Sequence, residues 1–519
     1  MARNPGIDAA ADALARMAAG EPASPAGGGG SGPLSLRRWD SAKTHRLNSA
    51  HWQDALEQQP INADLAVDLP TLMARCAHEA ANNPILEGVI ETHVTDLVGP
   101  GGPALQVESD NPNYNAWLEE AWRDWFEMPD IEGVLSGFEM LDQWVRMLWK
   151  AGAYLYRQVN DSRAGGDVTL KLRQYHPRKL TTPFDQAGNP NFVNGIESDA
   201  VGRIVRYWID TTPEGAFVGL TTKPEHFDAP LVGHRFRVLE PGQRHGVPLA
   251  SSALQVIADI RDGDNEILDA IRAAADQGVL LEANNEDAPF INVQDSTTVE
   301  RRTIKTIPSG WRAKQLQPTQ PHTNYLAYRD ERIREIGRPI GMPLLMVKGH
   351  AGGHNYSSAR FDALSYWRNI DKQRYLIQQR DLTPLVRMVE RETRLSQLSA
   401  GKRVPRPKKL CSCKLIWKWP QPPKLDLQKE WAGLAIKRAI GALSFDDMLN
   451  QTERTREEYL AQEKRARAEF EEAGIPYPEA DQVLKTILAL GDEGAGEEDS
   501  PETPQQEGAE ADASAAVPA

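Results

Sequence analysis

Lys348, His350, His354 and Tyr356 fall within the short run Lys348-Gly349-His350-Ala351-Gly352-Gly353-His354-Asn355-Tyr356, where side chains able to do chemistry are set among glycines. Two histidines four apart could ligate a metal if a rigid element fixed their geometry. Here small residues separate them, so the spacing predicts neither a metal nor any other cofactor. Lys348 could meet a phosphate as a point charge, or be an ordinary solvated loop lysine. Other routes to catalysis are missing. Lys43-Thr44, Lys305-Thr306 and Lys485-Thr486 lack the preceding glycines of a phosphate-cradling loop. There is no Gly-x-Ser-x-Gly elbow, and His78-Glu79 lacks the second histidine of a zinc-protease helix. Cys76, Cys411 and Cys413 make neither a disulfide framework nor a four-ligand zinc site, which fits a reducing cytosol. The sequence predicts a protein that is not an enzyme.

The elements around that loop are helical. Tyr325 to Gly337 is charged and helix-favouring until Pro339 and Pro343 end it. Beyond the loop, Ser357 and Ser358 are good N-caps for a helix towards Leu398, with Phe361, Leu364, Trp367, Ile370 and Ile377 near helical spacing. Pro384 lies inside it and predicts a kink near Arg380. Gly349, Gly352 and Gly353 permit backbone angles closed to other residues, so a mobile joint is expected between the two helices.

Upstream, Leu69 to Val98 and Tyr114 to Trp149 carry apolar residues at helical spacing, and Trp117, Trp122, Trp125, Trp144 and Trp149 read as core anchors, not base-stacking platforms. From Ala153 to Leu239 the pattern turns strand-like at Val168 to Leu172, Ile204 to Ile209 and Phe236 to Leu239. Ser251 or Ser252 then caps a long helix to about Glu282, with Leu254, Ile257, Ile267, Leu268 and Ile271 on one face. Residues 283–321 form an insert with strand-like Phe290 to Val293 and Thr303 to Ile307 and basic Arg301, Arg302 and Lys305. Helices resume after Leu425, with a capping pattern at Ser444 and Asp447 and a last short helix over 480–490. The fold class is α+β.

Of 519 residues, 40% are hydrophobic, enough for a packed core. Residues 1–44 are rich in Ala, Gly and Pro and read as a flexible arm. Nine acids and no base lie between Gly491 and Ala519, so this tail supplies most of the formal net charge of −14. A mildly acidic body argues against tight, sequence-independent gripping of phosphate. The basic stretch holding Arg387, Arg391, Arg394, Lys402, Arg403, Arg406, Lys408 and Lys409 reads as a solvated or inter-subunit face before a DNA contact. No apolar run approaches the roughly 18 residues of a membrane span.

Asn355-Tyr356-Ser357-Ser358-Ala359-Arg360, after an Ile-Gly-Met-Pro turn and before Trp367-Arg368, resembles the signature of the lambda-type bacteriophage portal proteins. Gly242-Gln243-Arg244-His245-Gly246-Val247-Pro248 resembles the family's Gly-Gln-x-Arg-Gly-Val-Pro segment, with His245 where Arg is usual. Asn82-Asn83-Pro84 and Leu97-Val98-Gly99 are similar to its N-terminal elements. Trp417-Lys418-Trp419-Pro420 and Leu425 to Glu430 resemble its Asp-Pro-x-Lys-Glu element, with Leu427 in place of the proline. The likeness runs in order over about residues 45 to 475.

This resemblance implies a portal-type fold and a ring of about twelve copies at one capsid vertex. It implies an arm at 1–44, an α/β wing at 45–250, a two-helix stem at 251–282 and 322–341, and a small α/β clip at 283–321. A tunnel loop at 342–356, a long kinked helix returning to the wing at 357–424, a helical crown at 425–490 and an acidic tail at 491–519 complete it. Terminase is expected to dock on the clip at Arg301, Arg302 and Lys305. Head-completion or adaptor proteins, the major capsid or scaffolding protein, and double-stranded DNA held transiently without sequence preference are the other partners. Assembly is expected in the host cytoplasm, without a membrane, and the mature location in the virion. A monomeric DNA-binding scaffold and a packaging enzyme are the competing readings.

Overall fold

The computed structural model describes residues 59–477 except 162, 164–166, 213–223, 276–278, 284–310, 316–324, 351, 353–355, 409–412, 422–426, 451–455, 473 and 475–476. The arm, the acidic tail, the last expected helix at 480–490, the expected strands at 290–293 and 303–307, and Arg301, Arg302, Lys305, Gly353, His354 and Asn355 lie outside the described residues.

Four helices open the described chain: α1 (Ile61–Asn82), α2 (Pro84–Val98), then, after strand β1 (Ala104–Glu108), α3 (Pro112–Glu127) and α4 (Gly137–Lys150). Their starts are written locally. The Asn83 side chain accepts from the amides of Ile85 and Leu86 at 2.9 and 3.1 Å, while Pro84 occupies a first-turn position where no donor is needed. At α4, Ser136 and Glu139 exchange hydrogen bonds as a capping box. The inner faces bury Trp122, Trp125, Trp144 and Trp149 as their spacing predicted, while Trp117 is half-buried at the edge of the core and donates to Gln397 at 2.9 Å. Burying such side chains contributes about 1.5–3 kcal/mol each, before entropy is counted.

The strand-rich part follows: β2 (Ala153–Asn160), β3 (Leu170–Tyr175), β4 (Phe192–Val193), β5 (Ile196–Ser198), β6 (Ile204–Ile209), β7 (Glu225–Asp228) and β8 (Val232–Phe236). One antiparallel sheet runs β3-β2-β8, and another runs β4-β5-β6-β7. Strand β8 begins at Val232 and ends at Phe236, so the expected strand at Phe236 to Leu239 is displaced upstream. Trp144 stacks on Tyr154 and Tyr156 with ring centroids 4.8 and 4.9 Å apart, joining α4 to β2. A Cβ at Gly246 would come within 1.8 Å of the Gly152 carbonyl oxygen, so the Gly246-Val247-Pro248 turn packs backbone to backbone on the start of β2, where only glycine fits.

Helix α5 (Leu254–Ala275) follows a short 3-10 turn at Ser251–Ala253, and the chain then forms β9 (Val279–Ala283), paired antiparallel with β10 (Trp311–Gln315). The helix is thus shorter than its periodicity predicted. Val279-Leu280-Leu281 continues an apolar pattern that a helix and a strand share, and the pairing with β10 decides for the strand. Only the first part of the expected face is buried: Ile257 is in the core, whereas Leu268 and Ile271 are exposed.

Helix α6 (Tyr325–Gly337) has the bounds its charge pattern and prolines predicted, and a five-residue helix α7 (Leu344–Lys348) then occupies part of the stretch expected to be loop. Val347 explains it, because this residue buries against the core while Pro343 starts the turn. Helix α8 (Tyr356–Ile377) starts one residue before the expected caps, which places Ser357 and Ser358 in its first turn. Its apolar pattern divides: Tyr366 and Ile370 are fully buried, while Phe361 is 74% and Leu364 53% exposed.

A π-helical turn at Gln378–Leu382 joins α8 to α9 (Thr383–Ser399), and Pro384 stands in the first turn of α9. Strand β11 (Lys414–Lys418) pairs antiparallel with β1, and helices α10 (Leu427–Ala439), α11 (Phe445–Asn450) and α12 (Arg456–Glu472) follow. One core joins α2, α3 and α4 to Ile333 and Ile336 of α6, Ile370 of α8 and Val386 and Val389 of α9.

Candidate functional site

Helices α5 and α6 are tied by charge. Arg329 binds the Asp264 carboxylate at 3.0 and 3.1 Å through Nε and Nη2, the Tyr325 hydroxyl donates to the same group, and Arg332 pairs with Asp259. Moving back along α5 from Asp264 to Asp259 moves forward along α6 from Arg329 to Arg332, so the pair is antiparallel. The hydrogen bond from Arg329 holds the Asp264 carboxyl below the usual carboxylate range, and the same bond raises Arg329. Exposed at the outer ends of this pair are Leu268 and Ile271 on α5 and Leu326 and Tyr328 on α6, the last two 72% and 61% exposed.

Lys348 does not stand free at the mouth of the glycine run. Its ammonium binds both oxygens of Asp330 at 2.8 and 2.9 Å, latching α7 onto α6. Gly349 then takes φ +63°, a left-handed cap that a β-carbon disfavours, and its amide closes on Met346. His350 is exposed, and a Cβ at Gly352 would meet its ring at 2.4 Å, so His350 and Gly352 lie side by side. Tyr356 opens the backbone of α8. No group of three or more potential metal ligands occurs among the described residues.

A buried polar hub ties β2 and β8 to the turn between α8 and α9. Asp381, fully buried in the π-turn, accepts from the hydroxyls of Tyr154 and Tyr156, each at 2.7 Å, and from Arg235 Nε at 3.1 Å. Burial pushes its carboxyl above the usual range, against the pull of Arg235 and the two tyrosines. Arg235 also donates to the Arg380 carbonyl at 2.9 Å, so β2 and β8 grip the turn where helical bonding changes register. Sequence reasoning missed this site: Asp381 lies 146 to 227 residues from the groups that donate to it, and the local sign was Pro384.

Two former loose ends are also placed. His245, standing where the resemblance expects arginine, is buried 5.1 Å from the ring of buried His234, and burial lowers the pKa of both. In the basic stretch, Arg394 pairs with Glu390 at 2.8 Å and lies over Trp117 at 5.4 Å, so this member is packed within the chain.

A family model described as phage portal protein, lambda family, matches residues 46–374. Among solved structures, the neck of a native GTA particle computed with C12 symmetry is 14% identical, with 73% of this chain and 92% of that chain covered and a TM-score of 0.40. A virion of a native gene transfer agent particle gives 14% identity over 73% and 91%, with a TM-score of 0.38. An HK97-family phage portal protein from Corynebacterium diphtheriae gives 11% identity over 56% and 83%, with a TM-score of 0.29.

Proposed function

The chain belongs to the lambda family of phage portal proteins, proteins of the capsid vertex, and from its own residues we propose how it does that work. About twelve copies close a ring, the α5 and α6 pairs line its channel, and double-stranded DNA passes inward during packaging and outward at ejection. The subunit performs no catalysis; terminase supplies the energy and docks on the insert between α5 and α6, where Arg301, Arg302 and Lys305 offer it positive charge. Head-completion or adaptor proteins later take the same end, and the strand-rich body meets the shell. Assembly takes place in the host cytoplasm before the portal is sealed into the virion.

The observation that carries the ring is the exposed apolar set on the paired helices, Leu268, Ile271, Leu326 and Tyr328, which a lone subunit would leave in water. A neighbour placed by rotation would cover it. The acidic net charge supports passage over capture, because gripping duplex DNA takes many cationic contacts. Light scattering and negative-stain microscopy of the purified protein should show closed rings without nucleotide or metal. A stable monomer that binds DNA tightly, with affinity falling steeply as salt rises, would favour the DNA-binding scaffold instead.

A further inference from the structure

A cavity of about 810 Å³ opens between β2, β8, the turn after α6 and the outer side of α8. Its charged lining has one sign. Arg235, Arg237, Arg338, Lys372 and Arg380 reach it, and no Asp or Glu does among the described residues. Asp381 neutralises Arg235 from behind. Arg237, Arg338, Lys372 and Arg380 are exposed and form no ion pair among the described residues. The back wall is fixed, because Asn369 donates to the Ile340 carbonyl at 2.5 Å and the Asp381 hub anchors Arg235.

We propose that this groove is a docking site for the acidic C-terminal segment of the chain itself, residues 491–519. Four cations without an ion-pair partner among the described residues converge on one recess, repel each other and call for a polyanion. A duplex presents phosphates on a stiff convex rod, which suits an open basic face. A recess walled by Leu249, Ile340 and Ile377 fits a slim extended chain. The tail matches in charge, with nine carboxylates, no basic residue and an acidic triplet at Glu497-Glu498-Asp499. That triplet lies about 20 residues beyond Tyr477; with the expected helix over 480–490 rising about 1.5 Å per residue and the rest extended at about 3.3–3.6 Å, the connection spans up to roughly 50 Å. Docking of this kind would shield the groove from DNA, with a strength that falls as salt rises.

Lys372 makes the proposal testable in the full chain. Zero-length carbodiimide coupling joins an amine to a carboxylate in contact with it, and the tail has no lysine to confuse the product. Mass spectrometry should find Lys372 joined to a residue of 491–519, with the yield reduced at least fivefold in 0.5 M salt or in the Arg237→Glu/Arg338→Glu protein. The neutral Arg237→Gln/Arg338→Gln pair, with oligomer size checked, guards against misfolding and should give an intermediate yield. A labelled 491–519 peptide should bind protein truncated at residue 490 at least tenfold more tightly than full-length protein, whose own tail competes. Coupling of Lys372 only to carboxylates outside the tail would overturn the proposal. So would a truncated protein that ignores the peptide but binds a short DNA duplex through these same arginines.

Discussion

Asp381 gathers three donors and returns none, so its removal is costly. Asp381→Ala strands two buried tyrosine hydroxyls and takes the carboxylate partner from Arg235, whose side chain is 30% exposed. Breaking a buried pair by removing one partner costs about 3–5 kcal/mol. Thermal unfolding should show that loss, and a variant within 1 kcal/mol of the parent would mean that the hub is wet. His93 gives a second expectation. Its Nδ1 accepts the indole N–H of Trp149 at 2.8 Å, and burial lowers its pKa to about 4. The folded protein therefore holds a neutral ring while the unfolded chain takes up a proton below about pH 6.5, so stability falls as pH drops from there towards 4. The slope is about 1.4 kcal/mol per pH unit for one such group. His93→Gln should remove that share of the acid sensitivity in unfolding curves taken between pH 7 and pH 4.5; an unchanged slope would show that other groups, such as His234 and His245, carry all of it.

Elements were legible in the sequence where their signals are local, and they failed where a neighbour decides. Asn83-Pro84 and the prolines after Gly337 set helix ends through the backbone they sit on, and the structure has α2 and α6 there. The end of α5 depends on β10 for pairing, and α7 depends on a buried Val347, so neither could be read from spacing. The same division governs the glycine segment. Lys348 latches α7 to α6 through Asp330, and the Gly349 cap closes α7 at the start of the glycine run. Replacing Gly352 and Gly353 with proline fixes φ near −65° and removes two amide donors downstream of that latch. The helices on either side keep their own core contacts through Ile336 and Ile370. Procapsids carrying a full complement of this double variant should therefore assemble and then package or retain DNA poorly; wild-type packaging would reduce the segment to a plain connection.

At the scale of the whole molecule, the chain separates what folds it from what charges it. Among the described residues, the main core draws on positions from Cys76 to Trp419, running past the end of the matched family region into α9. Nine of the 14 net negative charges stand after residue 490, in a polar segment of few large apolar residues. Truncation at residue 490 should accordingly leave ring size unchanged, because no exposed apolar residue of α5 or α6 is lost. What should change is the ring's behaviour towards polyanions. With the tail gone, the cations around Lys372 no longer face a competing carboxylate segment, and the subunit also loses nine negative charges. Duplex DNA should then bind the truncated ring more tightly than the intact one at low salt, with the difference vanishing near 0.5 M as screening shortens the range of both effects. Loss of rings on truncation would make the tail a structural element, and equal DNA affinity for both proteins at low salt would leave it without an electrostatic part in passage.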